Sequence, residues 1–327
     1  MSLYQECDPK FWQGRTDGEK KERVHQTIII ENLDKVDSKP VANKTLGLLG
    51  FACDEGVARN KGRRGAAQGP DALRSKLAPL CTDYKFSHNL VDFGNVSCDD
   101  SNLESAQSML KEKIAKLIAK KVYPIVIGGG HETAWGHFLG LLPFLKNKRW
   151  GIINFDAHFD LRPISDEKKG SSGTPFKQIA DLCAEKKMPF NYLCISIQKH
   201  VNTASLFQKA QDLSVNYILA DQIHQGHMDE ILKKIKIFYH DLDYIYLSIC
   251  LDSFSAEICP GVSAPQVRGI QYHQFLPLFK EVLTSNRVCS ADIVELSPPF
   301  DLDQRTAKFA ASIALDLIQE TSFASLK

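Results

Sequence analysis

The feature that most constrains the fold is a regular alternation of two apolar patterns along the chain. Short runs rich in β-branched and aromatic residues alternate with longer stretches in which apolar residues recur at helical spacing. Strands that alternate with helices predict a parallel sheet covered by helices on both faces. We therefore expect an α/β fold: one three-layer α-β-α domain with a mainly parallel central sheet. The strand-like runs are 45–52, 122–130, 149–157, 190–197, 215–220, 244–252 and 288–297.

The domain organisation follows from where this alternation begins. Residues 1–45 are polar and aperiodic as far as HQTIIIENL, and we predict an N-terminal arm or flanking segment there. Residues 46–327 contain no linker, low-complexity tract or internal repeat, so we predict that they form one domain.

Composition narrows the class of partner and the compartment. Forty basic and thirty-nine acidic residues nearly balance, which implies neither a nucleic-acid nor an anionic-membrane partner. The first residues lack the basic and apolar regions of a secretory signal, and no apolar run reaches the ~18–20 residues of a spanning helix. Nine cysteines without a CxxC motif favour reduced thiols. We therefore predict a cytoplasmic protein.

Ionisable residues follow four of the predicted strands. In a parallel α/β sheet, the carboxyl ends of the strands are where chemistry collects. Imidazole and carboxylate together suit a divalent ion such as Mn²⁺, and bridging carboxylates suit a pair of ions. Such a pair can hold hydroxide at neutral pH. The residues are His131 in GGGHE, Asp156, His158 and Asp160 in DAHFD, Cys250 and Asp252 in CLD, and Glu295 in VELS.

Each of these residues also has a simpler interpretation. His131 alone would be a capping or hydrogen-bonded polar residue, a single aspartate at a strand end is usually a turn residue, and Cys250 alone would be a small core residue. DAHFD is different, because in an extended run its three ionisable side chains would share one face, with Cα atoms roughly 6–7 Å apart at alternate residues. Burying them without a compensating partner would be costly. This run therefore predicts a metal site.

Five motifs occur in order along most of the chain: GRRGAAQGPDALR (62–74), GGGHETAWG (128–136), NFDAHFDLR (154–162), SICLDSF (248–254) and ADIVELSPPFDLDQRTAKFAA (291–311). Together they resemble the ureohydrolase (arginase–agmatinase) superfamily. Four further stretches are DEGVARNKGRRGA (54–66), DLRP (160–163), SSGTPF (171–176) and PGVSAP (260–265). Through these the likeness within the superfamily is greatest to the formimidoylglutamases.

The resemblance implies two Mn²⁺ ions. It assigns His131 and Asp160 to one ion, His158 to the other, and Asp156 to a bridge between them. The superfamily's later motif is Asp-x-Asp, and Asp252 matches its second residue. Cys250 stands where a bridging aspartate is expected. A thiolate favours softer metals than Mn²⁺ and can be oxidised. Three outcomes stay open: two metals with Cys250 as a ligand, one metal with a weakened second site, or a metal-poor relative. We favour a working centre.

The resemblance also implies a substrate and a reaction. Arginases carry a proton-shuttling His in the segment that reads SSGTPF here, and its absence makes arginine hydrolysis less expected. N-formimidoyl-L-glutamate would be hydrolysed to L-glutamate and formamide, a step of histidine degradation. A metal-bridging hydroxide would attack the formimidoyl carbon, Asp160 would relay protons, and Glu295 would orient the nitrogen-rich end.

The substrate's two carboxylates would need donors of positive character. The candidates are Arg162, Asn60, Arg63, Ser172 and Thr174, although the basic run at 59–64 could simply be a solvated loop. Two alternatives remain: a ureohydrolase acting on another guanidino or amidino acid, or a catalytically silent relative in which Cys250 has disabled the site. Trimers or hexamers are common in the superfamily, so a homo-oligomer is expected.

Overall fold

The computed structural model describes residues 3–18, 20–35, 45–82, 89–98, 100–165 and 169–326. Within these residues the strands are β1 Tyr4–Gln5, β2 Ile29–Ile30, β3 Thr45–Ala52, β4 Asn89–Ser97, β5 Val122–Ile127, β6 Trp150–Phe155, β7 Tyr192–Ile197, β8 Asn216–Leu219, β9 Tyr244–Cys250 and β10 Val288–Val294. The α-helices are α1 Val24–Thr27, α2 Glu55–Arg59, α3 Gly69–Leu77, α4 Leu103–Ala119, α5 Thr133–Leu145, α6 Pro175–Glu185, α7 Ala204–Asp212, α8 Ala220–His224, α9 Met228–Tyr239, α10 Tyr272–Leu283 and α11 Arg305–Glu320.

All the described strands belong to one sheet, in the order β1-β4-β3-β5-β10-β9-β6-β7-β8, with β2 also paired to β4. Every pairing is parallel except that of β1 with β4. The last two strands of the chain, β9 and β10, lie between β5 and β6. This insertion places four strands side by side at the centre of the sheet: β5, β10, β9 and β6. Their carboxyl ends therefore meet at one edge.

Helices cover both faces of the sheet. Apolar residues of α3, α8, α9, α10 and α11 pack in one cluster with one face, and those of α4, α5, α6 and α7 pack in a second cluster with the other. The central strands β5, β6, β9 and β10 are buried along their whole length, except that Tyr123 is partly exposed. The predicted α/β fold with three layers and a mainly parallel sheet is confirmed.

Three predictions about the elements need correction. Five of the six strands predicted after the first run end earlier than predicted; β5 ends at Ile127, not at residue 130, whereas β7 ends at Ile197 as predicted. The strand β4 was missed, because NLVDFGNVS mixes polar residues with apolar ones. The run DAHFD is not extended: β6 ends at Phe155 and the chain bends after it.

The N-terminal residues extend the sheet at its β4 edge. β1 pairs with β4 antiparallel and β2 pairs with it parallel. The indole N–H of Trp12 donates to Asp92 Oδ2 at 2.6 Å, and the same carboxylate is held by the buried Arg74 at 2.7 and 2.9 Å. These contacts fix the segment against the main domain, and the division near residue 45 stays a prediction. None of the helices in the described part of the chain is both long and apolar enough to cross a membrane.

Candidate metal centre

His131 follows three consecutive glycines directly after β5. The chain passes so close to the preceding loop that a Cβ on Gly129 would lie 1.7 Å from the carbonyl oxygen of Cys53. The same carbonyl accepts a hydrogen bond from the Gly130 N–H at 3.0 Å. Only glycine allows this approach of two backbones. The turn carries His131 inward, to where it is 2% exposed.

Asp156, His158 and Asp160 converge through a bend at the end of β6. Asp156 Oδ1 accepts a hydrogen bond from the backbone N–H of His158 at 2.8 Å, the local bond by which aspartate stabilises a turn. Asp160 has a φ of +50°, in the left-handed region that residues other than glycine rarely adopt. Such backbone strain concentrates at functional sites. The bend, and not one face of a strand, therefore brings the three side chains together.

Cys250 and Asp252 come from the neighbouring strand. Cys250 is the last residue of β9, and Asp252 lies in the short 3-10 turn that follows. Val294, the last residue of β10, is in register with Cys250, and Glu295 follows it directly after the strand. The four central strands thus bring all seven predicted catalytic and metal-ligating residues to one edge of the sheet.

Two groups of potential ligands form there and share Asp156. His131, Asp156 and Cys250 form the first group, and Asp156, His158 and Asp252 form the second; within each group the ligand atoms lie within 4.8 Å of one another. Ligand bonds of about 2.0–2.3 Å place two ligands of one ion at most about 4–5 Å apart. Each group therefore has the span of a single ion.

The nitrogen–oxygen distances in the two groups are short. His131 Nδ1 lies 2.9 Å from Asp156 Oδ2 and 3.0 Å from Asp160 Oδ2. His158 Nδ1 lies 3.1 Å from Asp252 Oδ2 and 3.5 Å from Asp156 Oδ1. Asp160 therefore adjoins the first group, as the resemblance implies.

The chemistry of the donors fits cations. Asp252 Oδ1 is buried and has no hydrogen-bond partner, and the buried His131 Nδ1 faces the carboxylates of Asp156 and Asp160. Among the described residues, no Lys or Arg forms an ion pair with Asp156, Asp160 or Asp252. Three buried carboxylates with two histidines as their basic partners leave negative charge uncompensated even when both rings are protonated, which is unfavourable. Divalent ions would supply the missing charge.

Both histidines respond to the surrounding acids. Burial alone would lower the pKa of His131, but Asp156 and Asp160 outweigh it and raise that pKa well above its ordinary value. Burial would also lower the pKa of His158, but Asp252 and Asp156 outweigh it and raise that pKa well above its ordinary value. Without metal the rings hold protons in place of cations, and metal binding would release them.

The other groups are shifted by burial and by one another. Burial and the charge of Asp156 raise the pKa of the Cys250 thiol well above its usual range. They also raise the pKa of Asp160 to about 6. Burial and the charge of Asp252 raise the pKa of Glu295 to about 7. The Cys250 thiol is therefore neutral without metal, and a bound cation would be needed to hold it as thiolate.

Glu295 is anchored by two donors. Its Oε1 accepts the backbone N–H of His131 at 2.8 Å, and its Oε2 accepts the Ser263 hydroxyl. Its φ of +74° is again in the left-handed region. Ser263 belongs to PGVSAP, so this motif touches the centre through Glu295.

Sequence analysis missed a further buried carboxylate, that of Glu132. Its Oε1 accepts the Gly56 N–H at 2.9 Å, and its Oε2 has no hydrogen-bond partner. Burial and the charge of Glu295 raise its pKa to about 8. Glu132 thus links α2 to the turn that precedes α5. Its signal was the acid beside His131 in GGGHE.

A cavity of 860 Å³ opens beside the loops after β3 and β6. Arg162, Asn60 and Thr174 contribute to its wall. Asn60 Nδ2 donates to the hydroxyl of Ser172 at 3.2 Å, and a Cβ on Gly173 would touch both Asn60 and Arg162. Four of the five predicted substrate-binding residues therefore lie together.

These polar groups differ in what they have left to offer a ligand. Among the described residues the exposed Arg162 guanidinium has no hydrogen-bond acceptor. The Thr174 hydroxyl instead lies 3.0 Å from both the Ser171 carbonyl and Gln178 Oε1. Arg59, which also lines the cavity, donates to Glu104 at 2.6 Å and to the Gly170 carbonyl at 3.2 Å. Arg162 is the better donor for a substrate.

Arg63 lies apart from this cavity's lining. Its Nε and Nη2 donate to the carbonyls of Val262 at 3.0 and 2.7 Å, and Nη2 also donates to that of Pro260 at 2.9 Å. The guanidinium lies over the Phe300 ring, 4.1 Å from its centroid. These contacts hold the loop that carries Ser263. A direct contact of Arg63 with substrate stays a prediction.

The chain is similar to known proteins over nearly its whole length. A family model described as the Arginase family matches residues 44–319. A protein of Clostridium tetani called formimidoylglutamase is 42% identical over 323 residues, covering 96% of this chain and 95% of the relative. One of the same name from Legionella pneumophila strain Paris is 44% identical over 320 residues, covering 97% and 98%.

Solved structures share the fold. The formimidoylglutamase of Bacillus subtilis superposes with a TM-score of 0.78 at 19% identity, over 95% of this chain and 96% of that one. The formiminoglutamase of Trypanosoma cruzi with Mn²⁺ superposes with a TM-score of 0.76 at 23% identity, over 90% and 99%. These two structures therefore share the fold of this chain over nearly its whole length.

Proposed function

The chain belongs to the arginase family, and on that premise we propose that it hydrolyses N-formimidoyl-L-glutamate to L-glutamate and formamide. It is a hydrolase of a linear amidine C–N bond. Full-length identity of 42–44% to proteins called formimidoylglutamase carries this proposal. The two ligand groups at one edge of the sheet supply the chemistry that the reaction needs. The reaction is a step of histidine degradation, and we expect it in the cytoplasm.

We assign the ligand groups to two Mn²⁺ ions. His131, Asp160 and Cys250 would hold one ion, His158 and Asp252 the other, and Asp156 both. When bound, the ions supply Lewis acidity and a hydroxide nucleophile at neutral pH. Cys250 would be a ligand of the first ion in place of a bridging carboxylate.

Asp160 would move the proton that the reaction needs. The bond that breaks joins the formimidoyl carbon to the glutamate nitrogen, which must gain a proton as it leaves. Asp160 Oδ2 lies beside His131 Nδ1, and the residue is 9% exposed. From this position the carboxylate could accept the proton of the attacking water and return it to the leaving nitrogen.

Glu295 would orient the amidine. Its two oxygens each accept one donor from the protein, and a carboxylate has about four lone-pair positions. The remaining ones can accept N–H groups of the formimidoyl end. Holding the planar amidine in this way would present its carbon to the nucleophile.

Arg162 would bind a substrate carboxylate, with Asn60 and Ser172 beside it. Ser172 is 6% exposed and accepts from Asn60, so its own hydroxyl hydrogen remains for a ligand. Thr174 would shape this wall through its internal hydrogen bonds, and Arg63 would act by holding the loop of Ser263. We expect three or six chains to assemble, as the family resemblance implies.

The decisive test is a substrate panel with the Mn²⁺-loaded protein: N-formimidoyl-L-glutamate, L-arginine and agmatine. We expect turnover of the first alone. Turnover of arginine or agmatine instead would overturn the proposed substrate. Turnover that appears only in a Cys250→Asp variant would overturn the proposed activity and show a centre disabled by the cysteine.

The role of Arg162 can be tested in the same assay. A hydrogen bond to a charged group contributes about 1.5–3 kcal/mol, so Arg162→Ala should raise KM about 10- to 100-fold. We expect kcat to change much less. Arg64→Ala is the matched control, since Arg64 is paired with Asp54 and Glu55 at the surface. An unchanged KM in Arg162→Ala would remove this residue from the substrate site.

A further inference from the structure

A polar network lies inside the molecule beneath His131. Its members are polar and completely buried, and they belong to two central strands and to a helix that packs on the sheet. None of them was selected by sequence analysis, and none belongs to the ligand groups. They are His137 of α5, Tyr246 and Ser248 of β9, and Ser290 and Asp292 of β10.

Strand register builds this network. Asp292 is paired with Ser248, and Ser290 with Tyr246, so the four side chains project from one face of two adjacent strands. Cys250 follows Ser248 on the same face. The network thus leads along the sheet to the metal centre. His137 joins it from the covering helix.

Asp292 is the centre of the network and receives donors from several sides. Its Oδ1 accepts the Ser248 hydroxyl at 2.7 Å. Its Oδ2 accepts the Tyr246 hydroxyl and lies 2.8 Å from His137 Nδ1. A carboxylate can only accept hydrogen bonds. The direction of the Ser248 bond is therefore fixed, with the serine as donor.

That direction determines the tautomer of His131. Ser248 has a single hydroxyl hydrogen, and it points at Asp292. Ser248 Oγ also lies 3.0 Å from His131 Nε2, so at this contact the oxygen must accept and Nε2 must carry the hydrogen. Once metal binding has released the second ring proton, His131 presents a lone pair at Nδ1, the atom that faces Asp156 and Asp160. A metal ligand needs that lone pair.

We propose that Asp292, acting through Ser248, is a positioning residue that holds His131 in the tautomer and orientation able to bind metal. Metal-binding histidines commonly donate their second ring N–H to such an outer partner. Here a serine stands between the ring and the carboxylate. His137 and Tyr246 hold that carboxylate in place.

Stability alone does not account for the network. Buried polar networks are often no more stabilising than apolar residues of the same volume, and apolar side chains surround this one on α5 and the strands. Its direct connection to the buried nitrogen of a proposed ligand supplies a reason for its presence.

The test is a measurement of Mn²⁺ affinity, by calorimetric titration and by the electron paramagnetic resonance signal of free Mn²⁺. Asp292→Asn keeps the shape but can donate, which lets Ser248 turn its hydrogen toward Nε2 and place the other tautomer. We expect one of the two binding steps to weaken about 10- to 100-fold and the other to stay within about twofold. Ser248→Ala should weaken the same step and serves if Asp292→Asn does not fold.

Ser290→Ala is the matched control. It removes a buried hydroxyl 2.6 Å from His137 Nε2 but leaves the contacts among Asp292, Ser248 and His131 intact. Wild-type binding of both ions in folded Asp292→Asn and Ser248→Ala would overturn the proposal, as would equal weakening of both steps or the same loss in Ser290→Ala. The inference rests on the metal centre of the proposed function. Because the readout needs no substrate, failure of the substrate assignment would be recognised separately.

Discussion

His131 and His158 belong to two ligand groups that share Asp156, and the two groups are built differently. The His131 side chain is 2% exposed and its second ring nitrogen contacts Ser248. The His158 side chain is 20% exposed, and its second ring nitrogen has no hydrogen-bond partner among the described residues. The first group includes the Cys250 thiol, whereas the second contains only imidazole and carboxylates.

One metal centre can thus combine two ligand groups that differ in exposure and in the softness of their donor atoms. The His131 group is buried, and Ser248 holds its histidine ring. Its Cys250 sulfur is a soft donor, which favours metals other than Mn²⁺. The His158 group is more open and offers only nitrogen and oxygen. We therefore expect the two ions to differ in affinity and in metal preference.

The largest effect should come from the residue that the groups share. Asp156→Ala removes a ligand from both, so we expect it to lose both ions and to lower hydrolysis on the order of 10⁴-fold or more, since water is then no longer activated. Metal content and turnover are the measurements. Asp243→Ala is the control, because Asp243 pairs with Arg149 at the surface. Retention of both ions by Asp156→Ala would contradict a shared ligand.

Removing each histidine in turn tests the asymmetry directly. His131→Ala and His158→Ala should each keep one ion. The His131 ring is buried and held by Ser248. We therefore expect His131→Ala to lower the Mn²⁺ affinity of its own site about 10-fold more than His158→Ala lowers that of the other site. Parallel Mn²⁺ titrations of the two variants measure this. Equal losses would mean that burial and orientation give the His131 group no advantage.

Cys250 tests the difference in softness. Cys250→Asp should raise the Mn²⁺ affinity of the site that includes residue 250 about 10-fold or more. It should lower the Cd²⁺ affinity of that site, because oxygen replaces sulfur. Cys250→Ser should lower the Cd²⁺ affinity without the gain for Mn²⁺. In the Co²⁺-loaded wild type we expect a thiolate-to-metal absorption band that both variants lack. A wild-type spectrum without that band would exclude Cys250 as a ligand.

The smallest effect concerns the support of the shared ligand. Asn154 Nδ2 donates to Asp156 Oδ2 at 3.1 Å and to the Tyr192 hydroxyl at 3.0 Å. Tyr192→Phe removes the outer acceptor, which should lower the free energy of unfolding by about 1 kcal/mol. Denaturant unfolding of the metal-free protein measures this loss, and we expect Mn²⁺ affinity to change little. Tyr217→Phe, at a 40% exposed ring, is the control and should show no loss.

The fold class, which is confirmed, and the candidate ligand residues, which stay a prediction, could both be read from local signals. A helix that follows a strand is visible within a few tens of residues, and DAHFD and GGGHE are continuous runs. The geometry of DAHFD could not be predicted, because the left-handed backbone of Asp160 depends on surroundings that a five-residue run does not contain.

The basic residues near the proposed substrate site show the same difference between what the sequence predicts and what the structure adds. Arg59, Arg63 and Arg162 are equally basic in the sequence, but only the structure separates them. Arg59 is paired with Glu104, 45 residues away, and Arg63 is bonded to Val262, 199 residues away. Among the described residues, Arg162 is left without such an acceptor. Which cation remains available is decided by distant partners.

Side-chain type and local periodicity are enough to predict the α/β architecture and the residues with metal-binding chemistry. How the potential ligands divide into two groups and how His131 is oriented depend on tertiary contacts. His131 and Ser248 are 117 residues apart, and the insertion of β9 and β10 between β5 and β6 brings them together. Strand order and register fix such contacts, and neither is written in any short stretch of the chain.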